Sequence, residues 1–178
     1  MKYLILIALF LTSLTSKAQK PEDKLAPFYY LLGEYDIKVF SPDSTGQWQP
    51  DGTGVSTYST LFDSTYIDEM FVLNMTNATL TMRSTLGVDG RTKELRLVAL
   101  DKEYSSMDVY AGKADGQQLV LSNLDTDEAF ETENAGKIFF RLTITPSQTC
   151  HHEMLVEYTN DQGKTWKKFS RQEYFSKS

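Results

Sequence analysis

Between residues 33 and 176 apolar and polar side chains alternate in short runs, as in Tyr35-Asp36-Ile37-Lys38-Val39 and Leu95-Arg96-Leu97. A period of two is the pattern of strands with one face in a core and one in water. The runs are rich in Val, Ile, Thr, Tyr and Phe, which suit a pleated, half-buried surface. They predict strands over 34–41, 52–62, 65–75, 78–88, 93–101, 105–112, 117–124, 137–145, 150–159 and 165–175, with a weaker piece near 127–133.

The breaks between runs carry turn chemistry: Asp89-Gly90, Asp115-Gly116, Asn134-Ala135-Gly136 and Asn160-Asp161-Gln162-Gly163. Such residues tolerate positive φ and join antiparallel neighbours into hairpins. A meander of about ten strands must hide two edges, and closure into a barrel does so without extra elements. The expected fold is all-β, an antiparallel up-and-down barrel, with a β-sandwich as the alternative. Before the strands, residues 21–32 place Leu25, Phe28 and Leu32 at helical spacing, with Asp23 as a cap and Gly33 as a stop. They predict one short N-terminal helix.

The first residues follow a different pattern. Lys2 precedes an apolar run from Tyr3 to Leu14, and Ser16 and Ala18 form a small-x-small cleavage site. The run is shorter than the roughly twenty residues of a spanning helix. Residues 1–18 therefore read as a signal peptide, Gln19 as the mature N-terminus, and 19–178 as one domain. An exported protein, periplasmic or secreted, is expected. Cleavage removes Lys2 and Lys17 and no acid, taking the formal charge from -6 to -8. That balance disfavours nucleic acid and anionic membrane as partners. Cys150 is the only cysteine, so no intrachain disulfide can form.

Several short motifs, in order, resemble a known family. Leu32-Gly33-Glu34-Tyr35 opens the first strand where lipocalin-like barrels carry Gly-x-Trp, with Tyr35 replacing the Trp. Thr85-Leu86-Gly87-Val88-Asp89 and Arg91-Thr92-Lys93-Glu94-Leu95 resemble the strand, Gly-x-Asp turn and strand of the lipocalin-like bacterial family called domain of unknown function 1579. The resemblance continues through Leu100-Asp101, Tyr110-Ala111-Gly112, Thr165-Trp166 and Arg171-Gln172-Glu173-Tyr174. It implies a roughly ten-stranded barrel with one open end and a central cavity, and no established reaction.

Candidate chemistry is sparse. No Gly-x-Ser-x-Gly elbow, P-loop, dinucleotide fingerprint or HExxH occurs. Residues 159–166 match the Asp-box of β-propellers, but one copy cannot build a propeller, so the segment reads as a hairpin turn with Trp166 packed behind it. If Met154 faces inward, alternation also places Cys150 and His152 inside and His151 outside. Nitrobindins, in the wider lipocalin-like group, hold haem through one late histidine, which makes His152 a haem candidate; no cofactor is otherwise expected.

Tyr35, Tyr66, Glu69, Arg83, His152 and Met154 are the candidates to line a cavity. Three functions stay open. A small apolar ligand in the barrel is the first. A filled barrel acting as a structural or interaction module is the second. The third is an enzyme using interior carboxylate and Arg groups such as Glu69 and Arg83.

Overall fold

The computed structural model describes residues 24–127, 129–132 and 136–177. The signal-peptide reading, the Gln19 terminus, the Asp23 cap and the Asn134-Ala135 turn lie outside the described residues.

Eleven strands follow in order: β1 (Gly33–Pro42), β2 (Trp48–Leu61), β3 (Tyr66–Met75), β4 (Thr79–Val88), β5 (Leu95–Asp101), β6 (Ser106–Asp115), β7 (Gln118–Ser122), β8 (Phe130–Thr132), β9 (Gly136–Pro146), β10 (His152–Thr159) and β11 (Lys167–Ser176). Neighbours from β1 to β7 pair antiparallel, β7 pairs with β9, β9 with β10, β10 with β11, and β11 returns to β1. The result is a closed barrel of ten strands, with the short β8 riding on the start of β9 outside the closure. Closure removes the edges that an open sheet would expose. Most connections are the tight hairpins that the Gly-, Asn- and Asp-rich turns predict. The β2–β3 turn instead holds Phe62, Asp63 and Ser64 in succession at positive φ without a glycine.

The residues before β1 form a 3-10 turn, Ala26–Leu31, where an α-helix was expected. Pro27 sits in its first turn, and Phe28, Tyr29 and Tyr30 are poor helix formers, so six residues cannot sustain a longer helix. The turn buries Leu25, Phe28 and Leu31 in the core. It plugs the barrel end at which β1 starts. Tyr29 donates to the Ser64 carbonyl at 3.4 Å in the β2–β3 turn, and Tyr30 donates to the Gln117 carbonyl at 3.1 Å in the β6–β7 turn. Tyr35 reaches back from β1 to the carbonyls of Tyr30 and Leu32.

Alternation then assigns each strand's two faces. Tyr35, Ile37 and Val39 point into the barrel, as do Ile67, Phe71 and Leu73 on β3, Leu95, Leu97 and Ala99 on β5, and Leu119 and Leu121 on β7. The described lysines and arginines lie on the outer wall, in turns or at the rim. Several stack on aromatic rings there, as Arg141 does over Trp166 at 4.4 Å and Arg171 over Phe40 at 4.5 Å.

Candidate functional site in the barrel interior

On one side of the interior, β2, β3, β4, β10 and β11 bring polar groups together. Glu69 on β3 is 4% exposed. Ser56 donates to its Oε1 at 2.8 Å from β2, and Ser84 to its Oε2 at 3.4 Å from β4. These are cross-strand placements: Glu69 pairs with Tyr58 on one side and Ser84 on the other. Tyr174 of β11 extends its hydroxyl through the lumen to within 3.2 Å of Glu69 Oε1 and 3.0 Å of Gln172 Oε1. One phenol proton serves only one of them, so the Gln172 amide turned over would donate to Tyr174 while Tyr174 donates to Glu69.

Burial without a neighbouring cation raises the Glu69 carboxyl from its ordinary value to about 7, although the hydroxyl donors pull the other way. The same burial, with Glu69 nearby, pushes the Tyr58 and Tyr174 phenols well up.

His152 opens β10 and is fully buried. Its ring stacks on Tyr174, its cross-strand partner, at 4.1 Å, and meets Tyr35 and Tyr58 edge-on at 5.0 and 5.7 Å. Neither ring nitrogen has a hydrogen-bond partner, and the Tyr58 hydroxyl lies against Glu69 and Tyr174. Burial, reinforced by His151, lowers the His152 imidazole to about 3, so it is neutral at ordinary pH. Two buried ring nitrogens thus lack partners, a cost that most folded interiors avoid.

Met75, Leu80, Met82, Phe140, Leu142 and Val156 are only half buried and pack against the core at the end opposite the 3-10 turn. Met82 stands one inward step above Ser84 on β4, about 7 Å along the strand. Three surface grooves, of about 660, 530 and 530 Å³, are lined mainly by outward-facing residues such as Arg96, Arg141 and Trp166, or Lys38, Thr53 and Val55.

Of the six residues nominated from the sequence, Tyr35, Glu69, His152 and Met154 face the interior. Arg83 and Tyr66 do not. Arg83 lies on the outer wall, bound to Asp68 at 3.0 Å, because it alternates out of phase with Met82 and Ser84. Tyr66 covers the outer face of Gly87, its cross-strand partner, where a Cβ would run into the ring. The interior carboxylate–arginine pair suggested for an enzyme is therefore not assembled.

Cys150 precedes the strand and donates to the His152 carbonyl. His151 faces the plug rather than solvent, with Nε2 against the Tyr30 carbonyl and its ring 5.1 Å from Tyr35. The alternation expected across 150–152 fails because β10 begins only at His152. Haem does not fit His152: rings of Tyr174, Tyr35, Tyr58 and His151 occupy the space a porphyrin plane would need around the imidazole.

Tyr58, Tyr174, Ser56, Ser84 and Gln172 were missed by the sequence reading. Their phase with buried neighbours was readable, but their convergence on Glu69 depends on closure of the barrel. Among the described residues no group of three His, Cys, Asp or Glu side chains could hold a metal. The 159–166 segment is a turn: Asp161 accepts from Thr159 and Thr165 hydroxyls and the Thr165 amide, which holds its carboxyl well below the usual range.

The fold and interior define a closed β-barrel plugged at one end, with buried polar groups toward that end and apolar inward positions toward the other. The chain matches no protein-family model and no curated protein.

Proposed function

We propose that this chain is an exported barrel that binds a small, largely apolar molecule at a mouth opposite the 3-10 turn. The observation that carries the reading is the ring of half-buried, inward-facing Met75, Leu80, Met82, Phe140, Leu142 and Val156 at the end opposite the plug. Apolar side chains left partly wet on an inner wall gain by covering, at roughly 25 cal/mol per Å² removed from water. Barrels of eight or more strands commonly use their mouths this way. The apolar run and small-x-small site of residues 1–18 support export, and N-terminal sequencing of the exported protein tests it by reading Gln19 first. The likeness to the family of domain of unknown function 1579 agrees with a binding barrel and adds no reaction.

Nile red fluorescence tests the mouth. The wild-type protein should brighten and blue-shift the dye, and Met82→Arg with Leu142→Arg should abolish the effect. Met70→Arg, on the exposed outer face of β3, should leave it intact. Equal loss from the outer and inner substitutions contradicts the reading.

A further inference from the structure

The lumen has an electrostatic asymmetry. Tyr58, Glu69, Ser84, Ala99 and Asp108 form one row of directly paired residues across β2 to β6. Paired residues share a face, and buried Tyr58, Glu69 and Ala99 fix that face as the interior. The next row up runs Ser56, Phe71, Met82, Asp101 and Ser106 and carries one acid, on β5. The two interior rows thus hold Glu69, Asp108 and Asp101, while the described bases occupy the outer wall, turns and rim.

The aromatic surfaces beside Glu69 are Tyr35, Tyr58, Tyr174 and His152, and a ring face attracts cations. The unpartnered atoms there are the two nitrogens of the neutral His152 imidazole, one of which accepts a hydrogen bond while the other donates. An ammonium has three donors and no acceptor, the complement of a carboxylate with such an acceptor nearby.

From this geometry we infer that the lumen takes the ammonium end of a small amine whose apolar body fills the mouth. The inference rests on the proposed mouth-binding function and names its ligand class. Half-buried Met82 stands one inward step from Ser84, which donates to Glu69, and marks the side from which the amine would reach the carboxylate. The charge of the amine replaces the cation that Glu69 lacks, so binding is strongest when Glu69 is ionised. Of the titratable groups facing Glu69, the Tyr58 and Tyr174 phenols are pushed up and His152 is held at about 3. Asp108 closes the row toward the rim, and Tyr35 lies behind Tyr58.

The test is calorimetry on protein expressed from the full sequence, with octylamine, 1-octanol and octanoate as probes of one chain length and three heads. At pH 8 octylamine should bind at least about tenfold tighter than 1-octanol, with octanoate weakest, as expected for a desolvated charge pair. Glu69→Gln should bring the octylamine-to-octanol ratio to about one. In the wild type, lowering the pH from 8 to 6 should weaken octylamine about tenfold as Glu69 takes up its proton, with 1-octanol unaffected. That second arm needs no variant and stands if Glu69→Gln misfolds. If 1-octanol binds as well as octylamine, or octylamine binding is flat with pH, the amine inference is overturned and the mouth reading survives. If none of the three binds, the mouth reading falls and takes the inference with it.

Discussion

Glu69→Gln turns the buried carboxyl into a measurable quantity. The substitution keeps the shape and lets Ser56 and Tyr174 donate to an amide oxygen, while removing the titration. In the folded protein the Glu69 carboxyl is raised from 4.5 to about 7. Below pH 4.5 it is protonated folded or unfolded and contributes no pH dependence. Between 4.5 and 7 the unfolded chain releases its proton while the folded one keeps it, so stability falls as pH rises, and above 7 the loss is complete. The gap corresponds to about 3 kcal/mol. Urea unfolding of the wild type and Glu69→Gln at pH 4, 6 and 8 reads this directly. The stability of the variant minus that of the wild type should rise by about 3 kcal/mol from pH 4 to pH 8. Other titrating groups, His152 included, cancel in the difference. A difference flat within about 0.5 kcal/mol would refute the claim that Glu69 is buried without a compensating cation.

Replacing His152 tests the opposite sign. Its folded value of about 3 lies below the ordinary 6.5, so the wild type loses stability as pH falls from 6.5 toward 3; His152→Phe should remove that loss in acid unfolding curves. At pH 7 the same variant should be more stable by about 1–2 kcal/mol, because two unpartnered nitrogens leave the core. Phe28→Ala should cost about 3–5 kcal/mol in urea unfolding, since Phe28 is fully buried and anchors the plug. Arg83→Ala should cost under about 1 kcal/mol by the same assay, as its side chain is 52% exposed on the outer wall.

The strands were legible because each half-buried strand writes its two faces into the sequence, and the turns were legible from their glycines, asparagines and aspartates. The start of β2 at Trp48 was not, because Gln49 and Pro50 interrupt the alternation and a bulge at Val39/Phe40 is what lets them pair with β1. Within the site, Glu69 was recoverable from its phase with Ile67 and Phe71, and its neighbour Asp68 falls on the outer wall by the same rule. Arg83 and Tyr66 obey the same phase: Arg83 alternates with inward Met82 and Ser84 and meets Asp68 outside, and Tyr66 alternates with inward Ile67 and covers Gly87. The contact between Tyr174 and Glu69 joins residues 105 positions apart and exists only once β11 closes onto β1.

The most direct measurement of mouth binding is a methyl-resolved NMR titration of the protein with 1-octanol. The account predicts shifts at the methyl groups of Met75, Leu80, Met82, Leu142 and Val156, with those of Val55 and Met70 on the outer wall unmoved. Shifts confined to the outer wall, or none at saturating 1-octanol, would contradict it.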